Sequence, residues 1–396
     1  MLAYNGGKLA RGLDLSAATY QFEPPALPFK PAAPLTIRSG IDRDHAVDLI
    51  KGVACLLMVL AHVRFADAPW LREATMASVL FFASTGMNLV GIVERRRGDE
   101  PRLAANALFL IFAGFADNYV QGTLWQADVF QSAGLAMLAM LLLRRLWPRY
   151  WTWLFPLPFL IHLANQHFYW KIADGGVASF FLTPGLFPLL PWLSFYLLGA
   201  HLKKYGSQTQ GWLIGGGAAV SLGAYLAFQP FSFNKWWMSI DYFLIACMLA
   251  AWSFAGLKRL LARIRRPPLA EVRRWGANSL VFYILHMFVI RVLEQLMPHG
   301  LALFLLAVAG TALLLRPALA LQRWAVRQRP AWVLLGGSAV AAAVIAANAT
   351  VFAPWALPRS LASFGVTFSF IAGYPAWKNL SQRLRRAPRA AVVGVS

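Results

Sequence analysis

Cysteine and charged residues are scarce in this chain, and each scarcity excludes a class of protein. The two cysteines, Cys55 and Cys247, both lie in apolar runs, so the sequence predicts no disulfide framework. No cluster of side chains has the spacing of a metal site, and we expect no metal. Only 13% of the 396 residues are charged, whereas 59% are hydrophobic. A soluble domain cannot bury that much apolar surface, so we expect an integral membrane protein.

The apolar residues form long continuous runs rather than alternating segments, which favours membrane helices over a β-barrel. We therefore expect an all-α, polytopic helical membrane bundle of about 12 transmembrane helices, or 11 because the last run is short. Residues 1–45 are expected to be a flexible cytoplasmic tail, 46–377 the transmembrane domain and 378–396 a basic cytoplasmic tail. The predicted spans are 46–64, 74–93, 103–121, 127–143, 151–167, 184–201, 211–229, 239–257, 276–296, 301–315, 331–349 and 361–377.

Acidic residues are also few, with 16 Asp and Glu against 37 Lys and Arg and a net charge of +21. Such a charge is common in nucleic-acid-binding proteins, but its distribution favours another explanation. Most of the Lys and Arg fall in alternate loops between the predicted spans, as the positive-inside rule describes. We therefore expect both termini in the cytoplasm of a bacterium, the chain in the inner membrane among lipids, and no nucleic-acid partner.

The first predicted span carries three ionisable residues: Asp48, Lys51 and His62. Such residues are costly inside a membrane and are typical of functional sites. The eleven residues from Lys51 to His62 make three turns plus about 20°, so both face one way, about 16 Å apart along the axis. The alternative to a functional role is structural: Asp48 caps the helix, and the Lys51 side chain extends to the lipid headgroups. His62 lies deep and suits proton transfer, because histidine titrates near neutral pH. The structural alternative for His62 is a hydrogen bond to a neighbouring helix.

A second polar stripe lies on the predicted span 276–296. Ser279, Tyr283 and His286 recur at spacings of four and three, so they share one helix face. They form either a hydrogen-bonding ladder into the bundle or a contact that joins two helices.

A third polar group lies at the outer membrane boundary. Asp117, Asn118 and Gln121 end the third predicted span, and Asp128 leads into the fourth. Carboxylates and amides in this position are either a solvated loop or the hydrogen-bonding groups of a sugar site.

The order and spacing of these motifs resemble the acyltransferase-3 family of membrane proteins over about residues 43 to 290. The first helix of that family has a basic residue, an interval of ten residues and then a histidine. Lys51 and His62, in the stretch that begins with residues 48–52, are similar to this pattern. Leu-Phe-Phe-Ala-Ser-Thr-Gly at 80–86 and Ser-Leu-Val-Phe-Tyr-Ile-Leu-His at 279–286 are similar to its second and late helices. Residues 187–199 resemble the related heparan-α-glucosaminide N-acetyltransferases, although the loop after the first span lacks their active histidine.

The resemblance implies that cytoplasmic acyl-CoA, for example acetyl-CoA, donates its acyl group to an extracytoplasmic carbohydrate or glycan. His62 would act as a general base or an acyl relay. The alternative is a transporter or flippase for a lipid-linked or charged solute, in which the buried charges form the transport path. The expected roles are catalysis for His62 and Asp48, acyl-CoA binding for Lys51, Ser279, Tyr283 and His286, and acceptor binding for Asp117, Asn118, Gln121 and Asp128.

Overall fold

A computed structural model describes most of the central part of the chain. The described residues are 44–63, 65, 68, 71, 76–95, 100–121, 126–167, 176–182, 186–205, 208–264, 269–329, 331–334, 336–338, 365 and 369–380. Within them the fold is all-helical, with 84% of residues in helices and no strand. The predicted cytoplasmic tails, 1–45 and 378–396, lie almost wholly outside these residues, so their assignment stays a prediction.

Eleven α-helices with defined bounds account for most of the described residues. A 3₁₀ turn at Trp151–Leu154 precedes the fifth helix, and another at Gly176–Phe180 follows it. The helices are α1 His45–His62, α2 Ala77–Arg95, α3 Glu100–Gln121, α4 Val129–Leu146, α5 Leu157–His167, α6 Leu189–Tyr205, α7 Gln208–Leu226, α8 Ile240–Arg263, α9 Ala270–Ala277, α10 Ser279–Leu293 and α11 Leu301–Arg327.

Several of these helices suit a membrane, as the composition predicts. Among the described residues, α1, α2, α4, α8 and α11 are long and apolar enough to cross one, and the bent pair α9 and α10 would add a sixth span. Several leucines of α11 are exposed, among them Leu305, Leu306 and Leu313. Lipid tails can cover such a face, whereas water would disfavour it. The predicted count of twelve spans is not confirmed.

The predicted span 276–296 is not one straight helix. α9 ends at Ala277 and α10 starts at Ser279, with a bend of 93° between them. Asn278 ends α9, because its side-chain amide donates to the Arg274 carbonyl oxygen at 2.8 Å. α9 then lies against α1 so closely that a Cβ atom at Gly276 would collide with the Asp48 carbonyl oxygen. The predicted span 276–296 thus corresponds to α10, whereas its first two residues belong to the end of α9.

Ion pairs gather at one end of the helices. Lys203, near the end of α6, pairs with Asp44, the N-cap of α1, and Arg144 of α4 pairs with Glu100 of α3. Burial alone would raise the pKa of the Asp44 carboxyl, but the hydrogen bond and charge of Lys203 and two backbone amides lower it below its usual value. We call this end of the bundle the basic end.

Candidate active site

A cavity of about 250 Å³ lies at the opposite end of α1, between five helices and two connecting segments. Its apolar wall comes from α1, α2 and α10. Its polar groups include the side chains of His62, Asp117, Asn118, Asp128 and Tyr283. The structure therefore brings residues from all three predicted polar groups, which are far apart in sequence, to one site.

His62 is the last residue of α1 and lies about 27 Å along the helix from the ion-paired Asp44. Its Nδ1 atom is 2.8 Å from the Met58 carbonyl oxygen one turn earlier. A carbonyl oxygen only accepts, so Nδ1 carries the proton and donates it there. Nε2 is then the nitrogen with the lone pair. A neutral imidazole of this tautomer on a cavity wall suits a general base.

The cavity carboxylates are held by the junction of α3 and α4. The Asn118 side-chain amide donates to the Gln126 carbonyl oxygen across this junction. Asp128 is the N-cap of α4, and its backbone amide donates to Oε1 of Gln131 at 3.2 Å, half of a capping box. Tyr283 of α10 lines the cavity together with Asp128. These contacts hold Asn118 and the backbone of Asp128 in place at the cavity.

Lys235 and Trp236 complete the cavity, and the sequence analysis did not select them. Lys235 is only 6% exposed. Its Nζ lies 5.0 Å from the ring centroid of Trp236 and 5.6 Å from that of Phe187, so two aromatic faces hold the ammonium group. The available signal was a lysine among aromatic residues in a predicted outer loop, but nothing in the sequence linked it to His62.

The segment that presents Lys235 is held firmly. The Asp241 carboxylate at the start of α8 accepts from the backbone amides of Ser232 and Phe233, both at 2.6 Å. Asn234 Oδ1 accepts from the amides of residues 236 and 237 at 2.9 and 3.0 Å. Phe233 has a φ of 34°, a left-handed conformation that costs energy in a non-glycine residue. Such strain often lies at functional sites, where the surrounding structure must stabilise it.

The remaining predicted residues lie away from the cavity lining. His286 is fully buried and contacts His62. Ser279 is buried at the start of α10, beside the bend. Asp48 is also buried, with its carbonyl oxygen against Gly276 and about 21 Å along α1 from His62. Lys51 is half-buried in the second turn of α1. The Gln121 side chain lies outside the described residues.

Among the described residues, no group of three or more His, Cys, Asp or Glu side chains has an arrangement that holds a metal ion. The site therefore offers one imidazole, two carboxylates, an amide, a phenol and an ammonium group around a small, partly aromatic space. No protein-family model matches the chain, and no curated protein or solved structure matches it either.

Proposed function

We propose that this protein is a membrane-bound acyltransferase, which moves an acyl group, for example acetyl, from acyl-CoA to a carbohydrate or glycan acceptor. The observation that carries the proposal is the position of His62, which lines a cavity that Asp117 and Asp128 also line. The resemblance of the motifs around His62, Ser84 and Tyr283 to membrane acyltransferases supports the same reaction.

The cavity chemistry suits one sugar unit as acceptor. Asp117 and Asp128 supply oxygens that accept from hydroxyl groups, whereas Asn118 and Lys235 supply donors. Trp236 offers a flat apolar face. Pockets for small ligands measure roughly 300–1,000 Å³, so a cavity of about 250 Å³ suits a single ring better than an extended chain.

In the proposed reaction, His62 Nε2 removes the proton from an acceptor hydroxyl or amine as that atom attacks the thioester carbonyl carbon. A C–O or C–N bond forms, and the C–S bond to CoA breaks. The proton on Nε2 then passes to the leaving thiolate, which restores neutral His62. General-base catalysis of this kind contributes about 10²- to 10⁴-fold to a rate.

The proposed donor path runs along α1 from the basic end. Lys51 lies about 16 Å along the helix axis from His62, a distance that suits the extended pantetheine arm of CoA. A cation near the basic end suits the CoA phosphates. In this proposal Lys51 and Ser279 serve the donor, while Tyr283 serves the acceptor cavity. The basic end faces the cytoplasm of a bacterial inner membrane, in a bundle of about 12 spans with both termini cytoplasmic.

Direct binding of acetyl-CoA to the detergent-purified protein tests this proposal without knowledge of the acceptor. We expect saturable binding by titration calorimetry and weaker binding by Lys51→Ala. Lys204→Ala removes a lysine from the basic end outside the proposed path and is the matched control, with binding expected at the wild-type level. A folded wild-type protein that binds neither acetyl-CoA nor longer acyl-CoAs would contradict the proposal. Solute flux into proteoliposomes without CoA would then support the transporter alternative.

A further inference from the structure

The side chain of His286 contacts that of His62, although the two residues are 224 positions apart in sequence. Nε2 of His286 is 3.4 Å from Nδ1 of His62, and the two rings meet edge to face with centroids 5.0 Å apart. His286 is 0% exposed and does not line the cavity, whereas His62 does. His286 is therefore placed to act on His62 rather than on a bound substrate.

Backbone carbonyl oxygens define the tautomers of both rings. His286 Nδ1 contacts the Tyr283 carbonyl oxygen, so this nitrogen carries the proton and Nε2 of His286 carries a lone pair. His62 Nδ1 carries the proton that it donates to Met58. The proton on His62 Nδ1 thus lies between two acceptors, the Met58 oxygen and His286 Nε2, and Nε2 of His62 remains the basic atom.

We propose that His286 is a positioning residue for His62, an inference that rests on the proposed acyltransferase function. When Nε2 of His62 takes the acceptor proton, the ring becomes an imidazolium. His286 Nε2 accepts from the Nδ1–H of that imidazolium and stabilises it, and it fixes the ring plane toward the cavity. No proton needs to reach His286. The position of the acceptor matches that of the buried aspartate behind the histidine of a serine-hydrolase triad, although His286 is neutral and carries no negative charge.

Variants at position 286 separate an acceptor role from simple packing. His286→Phe keeps a flat ring but removes the lone pair, whereas His286→Gln keeps an oxygen that accepts from His62. Hydrogen bonds to charged groups are strong enough that we expect kcat to fall about 10- to 100-fold in His286→Phe. KM for acetyl-CoA should not change, and His286→Gln should recover much of kcat. Loss of kcat in both variants to the same extent would contradict the proposal.

The rate at which diethyl pyrocarbonate modifies His62 gives a second readout that needs neither acyl-CoA nor an acceptor. A neutral imidazole nitrogen attacks a carbonyl carbon of the reagent and becomes ethoxycarbonylated, and mass spectrometry of the peptide carrying His62 follows the rate. We expect this rate to fall about 10-fold in His286→Phe and to recover in His286→Gln. His201→Phe replaces another buried histidine, near the basic end, and should leave the rate unchanged.

The two readouts distinguish failure of this inference from failure of the proposed function. The protein could fail to bind acyl-CoA while the modification rate of His62 still depends on the residue at position 286. That result would support the positioning role of His286 and refute the proposed acyltransferase function. An unchanged modification rate in a folded His286→Phe protein would refute the pair, whatever reaction the cavity serves. If His286→Phe does not fold, the result for His286→Leu, which also lacks an acceptor, decides.

Discussion

Gly134 of α4 packs against the backbone of α3, and replacing it with alanine tests the helix pair that positions the cavity carboxylates. A Cβ atom there would lie 2.5 Å from the Ala107 carbonyl oxygen and 2.6 Å from Cγ1 of Ile111. An ordinary contact needs at least about 3.4 Å, so α3 and α4 must separate by roughly 1 Å. Such overpacking costs about 1–3 kcal/mol, and the better helix propensity of alanine offsets at most about 1 kcal/mol.

The unfolding temperature of Gly134→Ala should therefore fall by several degrees, on a scale of about 2–4 °C per kcal/mol for large domains. Cys55 and Cys247 are both free and buried, so a fluorescent thiol reagent reports the transition. Gly217→Ala on α7 is the matched control, because a Cβ atom there meets nothing within 4 Å. Its unfolding temperature should stay the same or rise slightly. Equal unfolding temperatures for Gly134→Ala and wild type would refute the close packing of α3 and α4.

Three further perturbations test the site and the basic end. His62→Gln should lower acetyl transfer about 10²- to 10⁴-fold without lowering the unfolding temperature, and full turnover would exclude His62 as the base. Lys235→Met should raise the acceptor KM about 10- to 100-fold and leave that of acetyl-CoA unchanged, whereas an unchanged acceptor KM would remove Lys235 from the acceptor site. Because folding lowers the Asp44 pKa, its contribution to stability is complete above about pH 4 and is lost as the pH falls through the folded-state pKa. The unfolding temperature of wild type should thus fall more steeply in acid than that of Asp44→Asn, and parallel pH curves would contradict the role of the Lys203 pair.

The polar group at the outer membrane boundary could be predicted from sequence, because its residues lie on either side of the short connection between α3 and α4. Asn118 lies in the last turn of α3 and Asp128 is the N-cap of α4, so the connection itself brings them together. His62 could be selected for a similar local reason, since a histidine deep in an apolar helix is costly without a purpose. The all-helical class likewise follows from continuous apolar runs, which no alternating strand pattern explains.

The contact between His62 and His286 could not be predicted, because it depends on how α10 approaches α1. That approach follows from the bend at Asn278 and from the close crossing at Gly52 and Gly276. The apolar pattern of α10 does not show in which direction the chain before Asn278 runs. Lys235 was missed for the same reason, since its segment reaches the cavity only through the side chain of Asp241 and the packing of Phe187.

The most direct test of the account is transfer of radiolabelled acetyl from acetyl-CoA to a panel of monosaccharides by the protein in proteoliposomes, with wild type beside His62→Gln. The account predicts labelled sugar with wild type and a signal at least about 100-fold weaker with the variant. Labelling by His62→Gln at the wild-type rate, or no labelled product from wild type that binds acetyl-CoA, would contradict a catalytic His62 at this cavity.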